Sequence, residues 1–448
     1  MSYNEEKTEI PKEKLDKPGH FYACIDLKCF YASVECVERG LDPFKTNLVV
    51  ADPDRQSGTI CLAITPAMKA LGIKNRCRVF EIPKGVEYIM AKPRMRLYIE
   101  RSADVYSIYL KYISPDDIHV YSIDECFIDL TPYMKLYATT PEKLVKKLVG
   151  EIYRETGLTA TAGIGTNLFL AKVALDITAK RAKDGIAFLD RERFLATVAH
   201  HRPITDVWQV GTGIARRLSH FGVYDLAGVA DLPESILYRE FGINAEYLID
   251  HANGVEPCTM ADIKAYKPST TSVTSGQVLF EPYSFEEGRI ILLEMVETSV
   301  LDLIRTHRAT DSVSLTVGYN REGRFDDPRS TRPSTGASLK LPECTNSLKA
   351  LNDYFLDIYD RTTDRSTPVR RITIGFGGIT DECNITTDMF TDEDARKREH
   401  SLLSAVVDIK DKFGKNSILR GMSFEEKATT RARNLMIGGH NADVPSEE

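Results

Sequence analysis

Residues 120–130 read Val-Tyr-Ser-Ile-Asp-Glu-Cys-Phe-Ile-Asp-Leu, a run that favours β-structure yet carries two adjacent carboxylates, Asp124 and Glu125. An ionised carboxylate that is buried without a partner costs several kcal/mol or is neutralised by a shift of its pKa. The pair therefore indicates either a turn that is open to water or a bound cation. Because apolar residues flank the pair on both sides, we predict a hairpin with the acids at or near its bend, where both can point toward one hard cation.

A third acid stands at the end of another apolar stretch. Residues 21–27, Phe-Tyr-Ala-Cys-Ile-Asp-Leu, predict a short strand that ends on Asp26. Two acids in a hairpin are, on their own, more often a solvated turn, and the third acid is what favours a metal site. Three carboxylates at strand ends can hold two Mg²⁺ ions, with further ligands from water and substrate phosphates, as in phosphoryl-transfer sites.

These stretches resemble the signature motifs of the Y-family translesion DNA polymerases. The motifs are Asp26 with Phe-Tyr-Ala-Ser-Val-Glu at 30–35, and Ser-Ile-Asp-Glu at 122–125. Leu-Ala-Ile-Thr-Pro at 62–66 and Lys-Ala-Leu-Gly-Ile at 69–73 are similar to the UmuC-like branch of Gram-positive bacteria. The resemblance covers roughly residues 19 to 420. It implies a template-directed polymerase that inserts dNTPs opposite damaged bases, with low fidelity and no proofreading domain, in DNA repair of the SOS type.

The resemblance also implies the fold, an α+β multidomain right-hand polymerase. Its parts are a ferredoxin-like βαββαβ palm, small fingers, a helical thumb with a helix-hairpin-helix, and a βαββαβ little finger. We expect the chain to divide into a disordered tail at 1–18, palm at 19–45 and 86–186, fingers at 46–85, thumb at 187–262, linker at 263–270, little finger at 271–420, and a flexible C-terminal tail at 421–448.

Hydrophobic periodicity predicts the positions of the individual strands and helices. The predicted strands lie at 21–26, 48–51, 59–64, 87–91, 159–164, 273–280, 313–319, near 339 and at 369–376, besides the hairpin. The predicted helices lie at 32–39 and 67–71, within 94–113 and 141–155, at 167–180, within 285–307 and at 348–360. The strand at 87–91 is expected to belong to the palm sheet.

Composition limits the class of protein. The chain has 448 residues, 42% of them hydrophobic, and its length predicts about two to four domains. It contains neither an apolar run long enough for a membrane span nor a signal-peptide core, so we expect a cytoplasmic protein. Nine cysteines without a Cys-x-x-Cys pair indicate neither a disulfide framework nor a zinc site. The net charge of −7 argues against indiscriminate binding to polyanions, although local cations decide phosphate binding.

The resemblance assigns catalytic roles to the three acids. Asp26 and Asp124 would bridge two Mg²⁺ ions, and Glu125 would complete the site that lowers the pKa of the primer 3′-hydroxyl. The backbone carbonyl of Leu27 is an additional ligand on this interpretation. Asp129 is left out of the metal site, because a salt bridge or a hydrogen bond at the hairpin end explains it better.

Tyr31 occupies the position of the family's steric gate. An aromatic ring against the sugar leaves no room for a ribose 2′-hydroxyl, so ribonucleotides are excluded by a clash. Phe30 would pack nearby and shape the nucleotide pocket. The alternative for Tyr31 is a core tyrosine on the first helix.

Two lysines and a threonine complete the predicted nucleotide site. Lys69 and Lys172 stand where relatives contact the triphosphate, although isolated lysines on helices are usually solvated. Many relatives place a tyrosine at the position of Pro66 to hold the phosphates. We therefore consider Thr65 as a substitute donor.

For DNA binding, the sequence offers a glycine-rich turn and a group of arginines. Gly211 and Gly213 predict a hairpin between two helices whose exposed amides bind a backbone phosphate; an ordinary helical turn is the alternative. In the little finger, the candidates for phosphate contacts are Arg305, Arg308, Arg321, Arg324, Arg370 and Arg371.

Two other functions remain open from the residues. A nucleotidyl cyclase uses a similar palm but needs neither the DNA-binding hairpin nor the little finger. A DNA-binding scaffold with a dead site would be expected to lack one of the three acids.

The expected partners are primer–template DNA, dNTPs, a sliding clamp and SOS accessory proteins, with no membrane. The C-terminal tail contains no clear clamp-binding peptide, and residues 277–280, Gln-Val-Leu-Phe, are better explained as part of a strand.

Overall fold

A computed structural model of the chain describes residues 19–54, 58–269, 271–319, 334–386 and 392–442. The first compact unit takes the described residues up to Tyr266 and from His440 onward, and the second spans Lys267–Gly439. The predicted tail 1–18 lies outside the described residues, as do Arg321 and Arg324. None of the helices in the described part of the chain combines the length and the apolar character that a membrane span requires.

The first unit is mixed α and β. Its strands are β1 (Tyr22–Leu27), β2 (Leu48–Val50), β3 (Ala63–Ile64), β4 (Ile89–Ala91), β5 (Ile118–Val120), β6 (Glu125–Asp129), β7 (Ala160–Gly165) and β8 (Ile186–Leu189). Its helices are α1 (Phe30–Glu38), α2 (Pro66–Ala70), α3 (Met95–Leu110), α4 (Thr131–Leu136), α5 (Pro141–Thr156), α6 (Leu168–Val173), α7 (Arg191–Ala196), α8 (Thr212–Ser219), α9 (Leu226–Ala230), α10 (Glu234–Phe241), α11 (Ala245–Ala252) and α12 (Met260–Ala265).

The larger sheet of this unit is the predicted palm. Its strand order is β5-β6-β1-β7-β8, with β1 antiparallel to both β6 and β7. The succession β1-α3-β5-β6-α5-β7 is the ferredoxin-like βαββαβ order, which confirms the predicted fold. β1 reads as a nearly continuous apolar run because it is a central strand with most of its residues buried.

Two strands lie elsewhere than predicted. β4 was expected in the palm sheet, but it pairs in parallel with β2 in a separate sheet of order β3-β2-β4. β8 was not predicted as a strand; all but its first residue lie in the predicted thumb, yet it pairs in parallel with β7 and extends the palm sheet. Parallel partners are joined by long crossovers, so no turn residues mark the pairing in the sequence.

α6 is apolar all round because two cores meet on it. Leu168 and Ala171 pack with Tyr22 of the palm sheet. Phe169 and Val173 instead pack into the core of the thumb helices. A helix buried on every side has no solvent face for a charged residue, which determines how Lys172 must be accommodated.

The second unit contains the predicted little finger. Its strands are β9 (Ser272–Tyr283), β10 (Arg308–Tyr319), β11 (Ser334–Thr345), β12 (Val369–Gly377), β13 (Thr380–Asp381) and β14 (Met436–Ile437), and a last strand, β15 (His440–Asn441), returns to the first unit. Its helices are α13 (Phe285–Arg305), α14 (Leu348–Thr362), α15 (Glu393–Phe413) and α16 (Thr430–Asn434). The order β9-α13-β10-β11-α14-β12 confirms the second βαββαβ, and the strands lie in the order β11-β10-β12-β9.

The C-terminal region up to residue 442 is more ordered than predicted. α15 was not predicted, because only a narrow stripe that includes Leu403 and Val407 enters the core. Residues 421–448 were expected to be a flexible tail, but the described part, up to residue 442, makes specific contacts. The backbone amide of Thr429 donates to the buried Glu294 carboxylate over 2.8 Å. The carbonyl of Ala442 accepts from the Arg96 amide in the first turn of α3, over 3.3 Å. The predicted linker also begins inside α12.

A buried carboxylate connects α1 to α3. Glu35 is fully buried, and its oxygens accept from the Arg94 guanidinium over 2.8 and 3.0 Å and from the Tyr98 hydroxyl over 2.7 Å. Arg39 contributes a further ion pair from α1's own C-terminal end. Burial raises the pKa of Glu35, but the hydrogen bonds from these three residues outweigh that effect and hold it below its usual value.

We expect Glu35→Ala to lower the free energy of unfolding by about 3 kcal/mol, because removing one partner leaves the other charge uncompensated. Urea unfolding followed by circular dichroism measures this change. Glu38→Ala is the matched control on the same helix, since Glu38 pairs with Arg101 nearer the surface and its loss costs about 1 kcal/mol or less. Equal losses in the two variants would contradict this account.

Candidate active site

The sheet register brings the three predicted acids together. Asp26 on β1 lies directly opposite Glu125, the first residue of β6. Asp124 is the last residue of the turn between β5 and β6, and its carbonyl accepts from the Leu27 amide over 2.9 Å. The acids therefore lie at the bend of a hairpin and at the neighbouring strand end, as the sequence predicts.

The turn at 121–124, which we call the catalytic turn because it carries the predicted catalytic residue Asp124, is held by short hydrogen bonds. The Ser122 hydroxyl donates to the Asp124 carboxylate over 2.6 Å, and the Ser102 hydroxyl of α3 donates to the Ile123 carbonyl over 2.6 Å. At the far end of the hairpin, the Asp129 carboxylate accepts from the Thr131 amide over 2.8 Å. That bond confirms the hydrogen-bonding role predicted for Asp129.

The surroundings of Asp26 disfavour its charged form. Burial, followed by the negative charges of Asp124 and Glu125, raises the pKa of Asp26 from 3.8 to about 7. Like charges at short range make ionisation of the last carboxyl costly unless a cation compensates. The site therefore favours a positive charge beside Asp26.

Lys172 supplies one such charge. Its ammonium lies 2.6 Å from Glu125 Oε1 and 3.1 Å from Asp176 Oδ2, and the side chain is almost fully buried. Burial lowers the pKa of Lys172, but the acidic groups of Cys24, Asp176 and Glu125 outweigh it and raise the net value. Lys172, which was predicted to contact the triphosphate, is thus paired with one of the three predicted catalytic acids, and the sequence alone did not indicate this pairing.

The donor set fits a hard divalent cation, but it is not assembled around one. Carboxylate oxygens and a backbone carbonyl are the ligands that Mg²⁺ prefers, and the raised pKa of Asp26 shows a need for positive charge. Within the described residues, however, no three acidic, histidine or cysteine side chains converge closely enough to hold a metal as they stand. The Glu125 carboxylate is engaged by Lys172 and accepts from the Cys24 thiol over 2.9 Å. Both of these partners contact the same oxygen, Glu125 Oε1.

Tyr31 lies in the first turn of α1, held between other rings. Its ring stacks on that of Tyr98 at 4.6 Å and 21°, while Phe30 approaches at 5.6 Å. Phe30 is buried, as a packing residue should be, and Tyr31 is half-buried. Burial and the Asp124 charge raise the pKa of Tyr31, which indicates that the hydroxyl is near the catalytic turn. Tyr98 was not predicted, because a tyrosine inside a helix gives no local signal.

Thr65 does not fit its predicted role. It is fully buried, and its hydroxyl accepts from the Leu48 amide at the end of β2. A phosphate could not reach the buried Thr65 hydroxyl without breaking its hydrogen bond to the Leu48 amide, so Thr65 is removed from the predicted nucleotide contacts. Lys69 lies exposed in the last turn of α2, and its predicted contact with the triphosphate stays a prediction.

The glycines of the predicted helix-hairpin-helix lie at the start of α8. Gly211 immediately precedes the helix and Gly213 is its second residue. On the other side of the predicted hairpin lies a short 3-10 helix, Ile204–Asp206, in place of an α-helix. Both glycines are exposed, with open space where a side chain would be. The free amides of this helix start therefore remain accessible for the predicted phosphate contact.

The little-finger arginines divide into two kinds. Arg305 binds Asp411 and Asp302, and Arg370 donates to the Leu279 carbonyl. These engagements within the unit argue against them as phosphate ligands. Arg308 and Arg371 are exposed, and their contacts with phosphate stay a prediction.

Comparisons with known proteins identify the family. A model described as the impB/mucB/samB family matches residues 25–176, and the model of its C-terminal domain matches residues 270–389. The chain belongs to the impB/mucB/samB family. This confirms the predicted resemblance to UmuC-like Y-family polymerases.

Relatives of this impB/mucB/samB protein align along almost the whole chain. It is 32% identical to the "Putative UV-damage repair protein UvrX" of Bacillus subtilis (strain 168), over 94% of this chain and 97% of that relative. It is also 32% identical to "DNA polymerase IV 2" of the same organism, over 93% and 97%. Among solved structures, the "Y-family DNA polymerase chimera Dbh-Dpo4(243-245)-Dbh" matches with a TM-score of 0.58 and 20% identity, covering 82% of this chain and 100% of that one. The structural match supports the fold.

Two glycines of β7 allow α6 to bring Lys172 to Glu125. A Cβ on Gly163 would overlap the Ala171 carbonyl oxygen and the backbone of Leu175, and Gly165 is similarly close to α6. Only glycine permits this approach of helix to strand.

We expect Gly163→Ala to lower the free energy of unfolding by about 1–3 kcal/mol, because overpacking forces α6 away from β7. Urea unfolding measures the loss. The control is Gly150→Ala in α5, where nothing lies within 4 Å of the new Cβ. There the substitution should stabilise by about 0.5–1 kcal/mol through helix propensity. A Gly163→Ala protein as stable as the parent would contradict the tight packing.

Proposed function

We propose that this Y-family member, a DNA-directed DNA polymerase, inserts dNTPs opposite damaged template bases by two-metal-ion nucleotidyl transfer, with low fidelity and no proofreading domain. The observation that carries the proposal is the placement of three carboxylates at the same end of neighbouring strands of the palm sheet. There, the surroundings of Asp26 provide too little positive charge to compensate its carboxylate. The printed names of the relatives, a UV-damage repair protein and a DNA polymerase IV, support the same function.

Each residue of the site has a role under this proposal. Asp26, Asp124 and Glu125 would hold Mg²⁺ through their carboxylates, and Leu27 would add its backbone carbonyl. When bound, Mg²⁺ activates the primer 3′-hydroxyl and offsets charge on the pyrophosphate. Lys172 keeps Glu125 oriented until substrate arrives.

Other elements would bind the substrates. Primer–template DNA would contact the start of α8 and the exposed arginines of the little finger. A sliding clamp and SOS accessory proteins are proposed partners, and the cytoplasm is the proposed location. In residues 277–280, Gln277 and Leu279 are buried in β9, which supports the strand interpretation over a clamp-binding peptide.

The competing functions lack support. A nucleotidyl cyclase would need no second unit, whereas the family's C-terminal domain model matches residues 270–389. A scaffold without activity would not need an intact set of acids. Primer extension on undamaged and lesion-bearing templates, with Mg²⁺ and each dNTP, tests the proposal. Absence of any insertion by the parent protein would overturn it.

We expect Asp26→Asn and Asp124→Asn each to reduce insertion at least about a hundredfold, because an amide cannot replace a charged metal ligand. The dissociation constant for primer–template DNA should stay within about twofold, since affinity comes mainly from phosphate contacts. Asp129→Asn, on the same hairpin, is the control and should retain activity, because its oxygen still accepts from Thr131. Near-normal turnover of Asp124→Asn would exclude the two-metal assignment.

We expect Tyr31→Ala to raise the preference for ribonucleotides by about tenfold or more, because relieving a clash worth about 1.4 kcal/mol changes a rate ratio tenfold. The measurement is the ratio of kcat/KM for rNTP and dNTP. Tyr31→Phe is the control: it keeps the ring that causes the clash, so its ratio should match the parent. An unchanged ratio in Tyr31→Ala would make Tyr31 a packing residue.

A further inference from the structure

The sole tryptophan of the chain lies against the catalytic turn. The Trp208 indole Nε1 donates to the Tyr121 hydroxyl over 3.0 Å, and the two rings meet nearly edge to face at 6.1 Å and 74°. Tyr121 is the first residue of the catalytic turn, whereas Trp208 belongs to the thumb segment that leads into α8. The contact therefore joins the catalytic turn to an element outside the palm sheet.

The catalytic turn is held at its beginning by the backbone as well as by this side-chain anchor: the Tyr121 and Ser122 amides both donate to the Glu125 carbonyl over 3.0 Å. Its last two residues are fixed from the palm, by the Ser102 hydroxyl at Ile123 and by the Leu27 amide at Asp124. At its beginning the side chain of Tyr121 is 45% exposed. The indole hydrogen bond, together with an edge-to-face contact with Phe127 at 5.7 Å, holds this side chain in place.

Trp208 also reaches the other side of the site through stacked rings. Its indole stacks on His251 at 6.0 Å and 22°, and His251 stacks on Phe169 of α6 at 4.0 Å and 9°. His251 is itself fixed by the Glu256 carboxylate at 2.9 Å. Phe169 lies one helical turn before Lys172, the partner of Glu125. The Trp208 indole thus contacts the turn that carries Asp124 through Tyr121. Through His251 and Phe169 it also packs on α6, the helix whose Lys172 pairs with Glu125.

We propose that Trp208 is a positioning residue for nucleotide insertion: its hydrogen bond to Tyr121 holds the catalytic turn so that Asp124 and Glu125 keep their spacing. Trp208 acts through Tyr121 and does not touch the reacting atoms. The inference rests on the polymerase function proposed above. A contact that only packed the thumb against the palm would contribute to stability and leave the rate of insertion unchanged.

The test removes one side of the hydrogen bond at a time. Trp208→Phe keeps an aromatic ring without the N–H donor, and Tyr121→Phe keeps the ring without the acceptor. In single-turnover insertion we expect each to lower the maximal rate about three- to tenfold, which corresponds to about 0.6 to 1.4 kcal/mol. The apparent dissociation constants for dNTP and for primer–template DNA should stay within about twofold, because neither side chain is assigned to substrate binding.

The double variant and a matched control separate this role from general destabilisation. Trp208→Phe combined with Tyr121→Phe should be no slower than the slower single variant, because both remove the same bond. Tyr137→Phe is the control: its hydroxyl donates to the Tyr112 carbonyl over 2.7 Å, elsewhere in the same unit. It removes an equivalent bond and should leave the rate at the parent value.

The indole itself provides a spectroscopic readout. Because the chain has one tryptophan, its emission reports the surroundings of Trp208 alone. We expect the emission to shift in Tyr121→Phe and not in Tyr137→Phe. Single variants that keep the parent's rate, or a double variant whose losses multiply, would overturn the inference while leaving the polymerase function intact. A parent protein without any insertion activity would instead overturn the proposed function.

Discussion

The enclosure of Asp26 in a central strand is the constraint on which the rest of the site depends. β1 is flanked by β6 and β7, so its carboxylate faces protein more than water, and β6 places Glu125 opposite it. Burial, followed by the negative charges of Asp124 and Glu125, raises the pKa of Asp26 to about 7. A sheet that gathers acids in this way must supply cations, either from its own side chains or from solution. The protein supplies one in Lys172, and the proposed Mg²⁺ would offset the remaining deficit.

The position of Lys172 depends on how α6 packs between the palm sheet and the thumb helices. A lysine reaches Glu125 only if its helix lies directly on the sheet, and the missing side chains of Gly163 and Gly165 permit this approach. The helix then has a second apolar side, which the thumb helices cover. The same packing places Phe169 under His251 and Trp208 beside the catalytic turn. The ion pair between Lys172 and Glu125 is therefore coupled to the packing of the thumb helices on α6.

On the opposite side of the site, a second buried acid fixes the aromatic residues. Glu35 is satisfied by Arg94 and Tyr98 of α3, and the ring of Tyr98 supports Tyr31. At the start of α3, the Arg96 amide in turn donates to the Ala442 carbonyl. The end of the chain therefore contributes to the helix that carries the support for the predicted gate.

The sequence by itself determined the features that depend on neighbours along the chain. The hairpin at 120–130, the order of both βαββαβ units and the three acids at strand ends were predictable, because alternation, turns and unpaired charges are local signals. Tertiary structure decided the rest. The two units share one order of elements, yet the first strand is central in the palm and lies at the edge of the little-finger sheet. The pairing of Lys172 with Glu125, the burial of Thr65 and the contact of Trp208 with Tyr121 also join residues that are distant in sequence. Such contacts depend on how helices and sheets pack, and no spacing along the chain encodes them.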